Sequence, residues 1–150
     1  MAAGKSTLSR ALAKKEDAVL LCEDAWFEQL YPEEIVDISS YLKFSECLRE
    51  VVSGRAQSIL SRGISVVLDF PANTVEQRRW FRTIFEGSNA DHVLHFIDAS
   101  DDLCKVQLKK RNKEESGNVT LSSEEVFDAI TKYFQPPRKG EGFKMVAYKR

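Results

Sequence analysis

Met1-Ala-Ala-Gly4-Lys5-Ser6-Thr7 runs without a break into Leu8-Ser-Arg-Ala-Leu-Ala-Lys-Lys15. Leu8, Ala11 and Leu12 fall on one stripe with Ser9, Lys14 and Lys15 opposite, the amphipathic spacing of a helix. The stretch is therefore a Gly-Lys-Ser-Thr turn opening a helix, the second half of the phosphate-cradling pattern GxxxxGK[ST]. In that pattern backbone N–H groups and a helix N-terminus face phosphate oxygens, the Lys ammonium bridges the outer phosphates, and the hydroxyl reaches Mg²⁺. A bare GK[ST] arises by chance in roughly one chain of this length in ten, so the helix that follows carries the weight of the assignment. The first glycine of the pattern would precede Met1, as would the strand that delivers the loop. The expectation is a chain that starts internally, roughly ten residues short on ordinary strand lengths.

Outward from this stretch, strands and helices alternate. Ala18-Val-Leu-Leu-Cys22 is too short for a helix and is closed by Glu23-Asp24, which reads as a buried parallel strand. Residues 24–37 read as a short helix and loop, and 39–61 as helical, with Gly54 as the weak point. Ile64-Ser-Val-Val-Leu68, bounded by Gly63 and by Asp69-Phe-Pro71, is the strongest strand. Thr74-Val-Glu-Gln77 is a capping box opening a helix to about residue 85. A strand over 93–97 follows, then a helix from Ser100-Asp-Asp to Arg111 whose acids and bases match its dipole. Ser122-Ser-Glu-Glu125 opens a last helix to about Phe134, ended by Pro136-Pro137, and residues 144–148 form a final strand. The class is α/β: a parallel sheet flanked by helices in three layers, with right-handed crossovers and ligands at the strand C-terminal ends.

The 150 residues carry 22 Lys plus Arg against 23 Asp plus Glu, a net charge of -1, and 43% are hydrophobic. That fits one domain with its own core. Residues 1–75 hold 8 basic and 11 acidic side chains and residues 76–150 hold 14 and 12. Such a balance excludes a uniform basic coat for nucleic acid, so an anionic ligand must be held locally. Cys22, Cys47 and Cys104 are odd in number and widely spaced, suggesting neither a disulfide framework nor a zinc site. The longest apolar run is the five residues from Ala18 to Cys22, which excludes a membrane span or signal peptide and points to a cytoplasmic protein.

Asp24-Ala-Trp26, Val66-Val-Leu-Asp-Phe-Pro-Ala-Asn-Thr74, Leu94-His-Phe-Ile-Asp98, the stretch from Cys104 to Arg111-Asn112, and Phe134-Gln-Pro-Pro137 leading to Glu141-Gly-Phe143 resemble a family of small bacterial P-loop kinase-like ATPases. That group is similar to zeta-toxin, chloramphenicol phosphotransferase and polynucleotide-kinase ATPase domains. The likeness covers nearly the whole chain. It implies a P-loop fold of the nucleoside-monophosphate-kinase type, here without its first strand, in one domain over 1–150 with a lid region at about 101–121. It also implies ATP and Mg²⁺ as cofactors, with transfer of the γ-phosphoryl to an acceptor hydroxyl, most simply on a small molecule. A nucleic-acid end is the less favoured acceptor, and a nucleotide-binding regulator without turnover is the alternative function.

Ala3, Gly4, Lys5, Ser6 and Thr7 would then cradle the phosphates, with Lys5 and Ser6 supplying charge and a metal-facing hydroxyl. The resemblance implies that Asp69 joins Ser6 at the metal; an Asx-type turn before Pro71 is the plain alternative. It implies that Asp24 orients or deprotonates the acceptor hydroxyl, against a plain role as helix N-cap. It implies that Arg111 reaches the phosphates from the lid, against a helix-dipole role shared with Lys109 and Lys110, which read as solvated. Arg78 and Arg79 lie on a helix that faces either the acceptor or solvent. His92 and His95 read as packed or surface side chains, and Trp26, Phe27, Tyr31, Tyr41 and Phe44 chiefly as core. With the loop-delivering strand missing from the centre of the sheet, pairing between the strands of Val66 and Phe96 should be interrupted.

Overall fold

The computed structural model describes residues 2–114 and 123–150. Helix α1 (Lys5–Lys15) ends with Lys14 and Lys15 on the negative end of its dipole, and β1 (Val19–Cys22) follows. Helix α2 (Glu23–Leu30) begins on the residue after β1. Helix α3 (Ile38–Leu60) is one uninterrupted element of 23 residues, so Gly54 is not a break. Its start is fixed by Asp37, whose carboxylate accepts the Ser40 backbone N–H at 2.7 Å, and its middle by Val52 and Ala56, both fully buried on either side of Gly54. Packing outweighs the roughly 1 kcal/mol that glycine costs in a helix interior.

Strand β2 (Val66–Asp69) starts two residues later than the sequence suggests. Helix α4 (Val75–Ser88) opens on the expected capping box: the Thr74 hydroxyl accepts the Gln77 N–H at 3.1 Å and the Gln77 amide oxygen accepts the Thr74 N–H at 3.2 Å. Strand β3 (Leu94–Asp98) and helix α5 (Asp101–Glu114) follow. Helix α6 (Glu124–Thr131) is capped by Ser123, which accepts the Val126 N–H at 3.2 Å; Ser122 lies outside the described residues. α6 stops short of Phe134 because Gln135 is used elsewhere. Its N–H donates to the Asn73 carbonyl at 2.8 Å and its side-chain oxygen accepts the Val75 N–H at 2.8 Å, filling a free donor of the first turn of α4. A short 3₁₀ turn (Lys139–Glu141) precedes β4 (Met145–Lys149).

The strands form two parallel pairs. β1 lies against β2 from Val19↔Val66 to Cys22↔Asp69, and β3 against β4 from Leu94↔Met145 to Asp98↔Lys149. Among the described residues no ladder joins β2 to β3, which is the expected interruption between the strands of Val66 and Phe96. Apolar parallel strands are normally covered on both faces, yet Val66, Val67, Leu68 and all of β3 up to Ile97 are only half-buried. A narrow groove of about 40 Å³ runs between Ala72 and Arg78 on one side and Leu94, Phe96, Phe134 and Pro137 on the other.

The main core joins α2, α3, β1 and α4 through Leu21, Phe27, Ile35, Leu48, Val52, Ala56, Phe70 and Ile84. A smaller one joins α5 to α6 through Cys104, Leu108 and Phe127. The two strand pairs are tied by Arg78, 1% exposed, whose Nε and Nη2 donate to the Glu141 carboxylate at 2.6 and 3.0 Å. A further tie is the stack of His92 on Phe85, with ring centroids 3.7 Å apart. Among the described residues no helix is long and apolar enough to cross a membrane.

Candidate phosphate-binding site

Gly4 stands at the N-cap of α1 with φ 92° and ψ 20°, a left-handed conformation that suits glycine. No side chain caps this helix. Its first intrahelical bond runs from the Leu8 N–H to the Gly4 carbonyl at 3.1 Å, so the N–H groups of Lys5, Ser6 and Thr7 have no helical partner. Among the described residues these N–H groups have no other backbone partner, and three open donors at the positive end of a helix dipole suit an anion. Ala3 leads into it, and the Ser9 hydroxyl donates back to the Lys5 carbonyl at 3.0 Å, holding the first turn.

Asp69 closes on this turn from the end of β2. Its carboxylate, 1% exposed, is ion-paired with the Lys5 ammonium. Ser6 stands near enough to help hold that carboxyl down, and the Cys22 thiol donates to Oδ2 at 3.5 Å. Burial alone would raise the Asp69 carboxyl; the Lys5 charge, with hydrogen bonds from Lys5, Ser6 and Cys22, outweighs it and holds the group below its ordinary value. Asp69 is thus an anion at neutral pH, and the Asx-turn reading does not describe its side chain. Magnesium takes hard oxygen donors, commonly one or two from protein with the rest from water and phosphate. A hydroxyl and a carboxylate near one another at this turn suit that ion. Among the described residues no group of three or more His, Cys, Asp or Glu offers a self-sufficient metal cage.

Asp24 lies in the first turn of α2, exposed, two residues past the Cys22 that pairs with Asp69. The N-cap of α2 is Cys22, so Asp24 does not serve as the cap. Beside it Glu23 points inward, 1% exposed. Its carboxylate accepts the Tyr41 hydroxyl and the Ser45 hydroxyl, each at 2.6 Å, and Arg49 Nη2 donates to Ser45 at 3.0 Å. This network clamps the start of α2 to α3 and thereby fixes where Asp24 stands. Burial pushes the Glu23 carboxyl up, against the lowering effect of Ser45, Tyr41 and the Arg49 charge. Phe27, Tyr31, Tyr41 and Phe44 pack in the core rather than line a cleft, with Tyr31 stacked on Phe44 at 4.2 Å.

Other candidates are placed differently. Arg111 is half-buried in the last turns of α5 and is not among the groups acting on Asp69; the rest of the expected lid, residues 115–121, lies outside the described residues. Lys109 is not simply solvated, because it pairs with Glu124 of α6 at 2.6 Å. Arg78 faces neither acceptor nor solvent, being buried against Glu141, whereas Arg79 is exposed. His92 stacks on Phe85, and His95 Nδ1 lies 2.9 Å from the Tyr148 hydroxyl. All three cysteines are free.

Sequence reasoning missed Cys22, Glu23 and Arg150. The first could have been found only by pairing the two strand ends in register. Glu23 carries a local signal, an acid directly after the apolar run from Ala18 to Cys22. Arg150 carried none, although its guanidinium lies beside Ala3 and Gly4.

A search of the curated proteins finds no match. The family model described as AAA domain matches residues 1–137, nearly the whole chain, with the Gly4–Thr7 turn, Asp69 and Arg111 all inside the match. The chain therefore belongs to this AAA-domain family, a P-loop, kinase-like family of nucleotide-binding proteins.

Proposed function

We propose that the protein is an ATP- and Mg²⁺-dependent phosphotransferase acting on an acceptor hydroxyl, most simply of a small molecule bound between Asp24 and Arg62. The observation that carries this reading is the convergence of Lys5, Ser6 and Asp69 at the uncapped start of α1. The free N–H groups of residues 5–7 hold phosphate oxygens, and Lys5 exchanges Asp69 for the outer phosphates. Bound Mg²⁺ would neutralise charge on the same oxygens, with Ser6 and Asp69 as its protein ligands. Asp24 takes the proton of the acceptor hydroxyl as its oxygen forms a bond to the γ-phosphorus and the bond to the leaving diphosphate breaks. Arg111 closes from the lid and pairs with phosphate oxygens.

The architecture belonging to this function is a three-layer sheet of the nucleoside-monophosphate-kinase type. The half-buried apolar strands and the groove between Ala72 and Phe96 support it.

Release of ADP from Mg·ATP across a panel of hydroxyl acceptors tests the reading. Turnover should appear with one acceptor class and fall by about two orders of magnitude or more in Lys5→Ala and Asp24→Asn, the loss expected for charge stabilisation and general-base groups. Nucleotide binding with no turnover on any acceptor would replace the enzyme by a nucleotide-binding regulator.

A further inference from the structure

Arg150 follows the last residue of β4, and its backbone N–H donates to the Asp98 carbonyl at 3.0 Å, extending the β3–β4 pairing by one residue. This fixes its Cα at the C-terminal end of the strands, the end at which the Gly4 turn stands. From there the side chain crosses to the turn. Nη1 approaches the Ala3 carbonyl at 3.4 Å, longer than an ordinary N–H···O bond. A Cβ built on Gly4 would collide with the guanidinium. Glycine at position 4 answers the left-handed φ of the N-cap, and the clash shows how close the flexible end of Arg150, from a strand end 146 positions further along the chain, comes to the turn.

Among the described residues no carboxylate pairs with Arg150. That sets it apart from Arg78, paired with Glu141, and Arg82, paired with Glu86. A guanidinium carries five N–H donors in a planar fork and stays charged at all relevant pH. One long contact to a carbonyl leaves most of that fork open beside three free backbone N–H groups and the positive end of α1. With the Asp69 carboxylate of the same turn already paired with Lys5, these two like-signed features are complementary to an anion.

We infer that Arg150 is a second cation of the phosphate cradle, pairing with polyphosphate oxygens on the Ala3–Gly4 side while Lys5 takes the Asp69 side. The inference rests on the reading of Gly4–Thr7 as a phosphate site, and extends it to a residue outside the segment matched by the family. The ligand class is a polyphosphate, with the nucleoside making no contact to Arg150.

Calorimetric titration of the full chain with inorganic triphosphate, ATP and adenosine tests it, using wild type, Arg150→Ala, Arg150→Lys and Lys5→Ala. Arg150 is exposed, so its two variants should keep the wild-type melting temperature. Arg150→Ala should weaken triphosphate and ATP about tenfold and make the salt dependence of binding shallower, whereas Arg150→Lys, which keeps the charge, should weaken them less and keep the salt dependence. Affinities within twofold of wild type in Arg150→Ala, with binding lost in Lys5→Ala, would overturn the Arg150 assignment alone. Adenosine binding lost together with ATP would place the arginine at the base and overturn it as well. A wild-type chain that binds neither triphosphate nor ATP would overturn the cradle itself, and the arginine assignment with it.

Discussion

Glu23 and Asp24 show how one residue of difference along a helix separates a buried acid from an exposed one. Glu23 turns into the core and takes two hydroxyl hydrogen bonds at 2.6 Å; Asp24 faces outward at the strand ends. Because burial holds the Glu23 carboxyl above its ordinary 4.5, the folded protein binds more protons than the unfolded chain between that value and the raised one. Stability contributed by this group therefore grows as pH falls through the window and is lost as pH rises above it. Glu23→Gln has no proton to take up. Urea unfolding of both proteins from pH 8 to pH 4.5 should show wild type gaining on the variant as pH falls; parallel profiles would mean that the buried acid is not strained by its site. Asp69 has the opposite sign, its carboxyl being held down by Lys5, Ser6 and Cys22 despite burial. Its contribution is complete above the ordinary carboxylate value and is lost as pH drops below it.

At the scale of elements, the features readable in the sequence are those written in a few neighbouring residues. Thr74 and Gln77 announce α4 because a capping box is a local exchange of hydrogen bonds. Asp69 was legible for a similar reason, as a carboxylate at the end of an apolar strand. Gly54 lacks helix propensity but does not break its helix, because packing outweighs propensity there. Helix α3 passes through it on the strength of Val52 and Ala56, and a Cβ added at Gly54 would meet nothing within 4 Å. Gly54→Ala should consequently raise stability by about 0.5–1 kcal/mol, read from the urea midpoint at unchanged slope. A loss of stability would show that the helix bends there. The end of α6 is not legible in the sequence because the bonds that draw Gln135 away, to Asn73 and Val75, join segments some 60 positions apart.

For the whole molecule, what escaped the sequence is pairing at long range. Arg78 meets Glu141 across 63 positions, so a residue that helical spacing leaves equally ready for solvent or acceptor becomes a buried strut between the two strand pairs. Cys22 reaches Asp69 only through the register of β1 on β2. Arg150 reaches Gly4 only because β4 ends where α1 begins. The Gly4–Thr7 turn needed none of this, since its chemistry lies in consecutive residues and in the helix behind them. Everything functional depends on whether that turn holds polyphosphate. Thermal unfolding of the full chain with and without Mg·ATP measures this directly, because a ligand bound only by the folded state at a hundred times its Kd adds about 2.7 kcal/mol. The account predicts a melting temperature raised several degrees by Mg·ATP in wild type and unmoved in Lys5→Ala; equal shifts in the two proteins, or none in either, would contradict it.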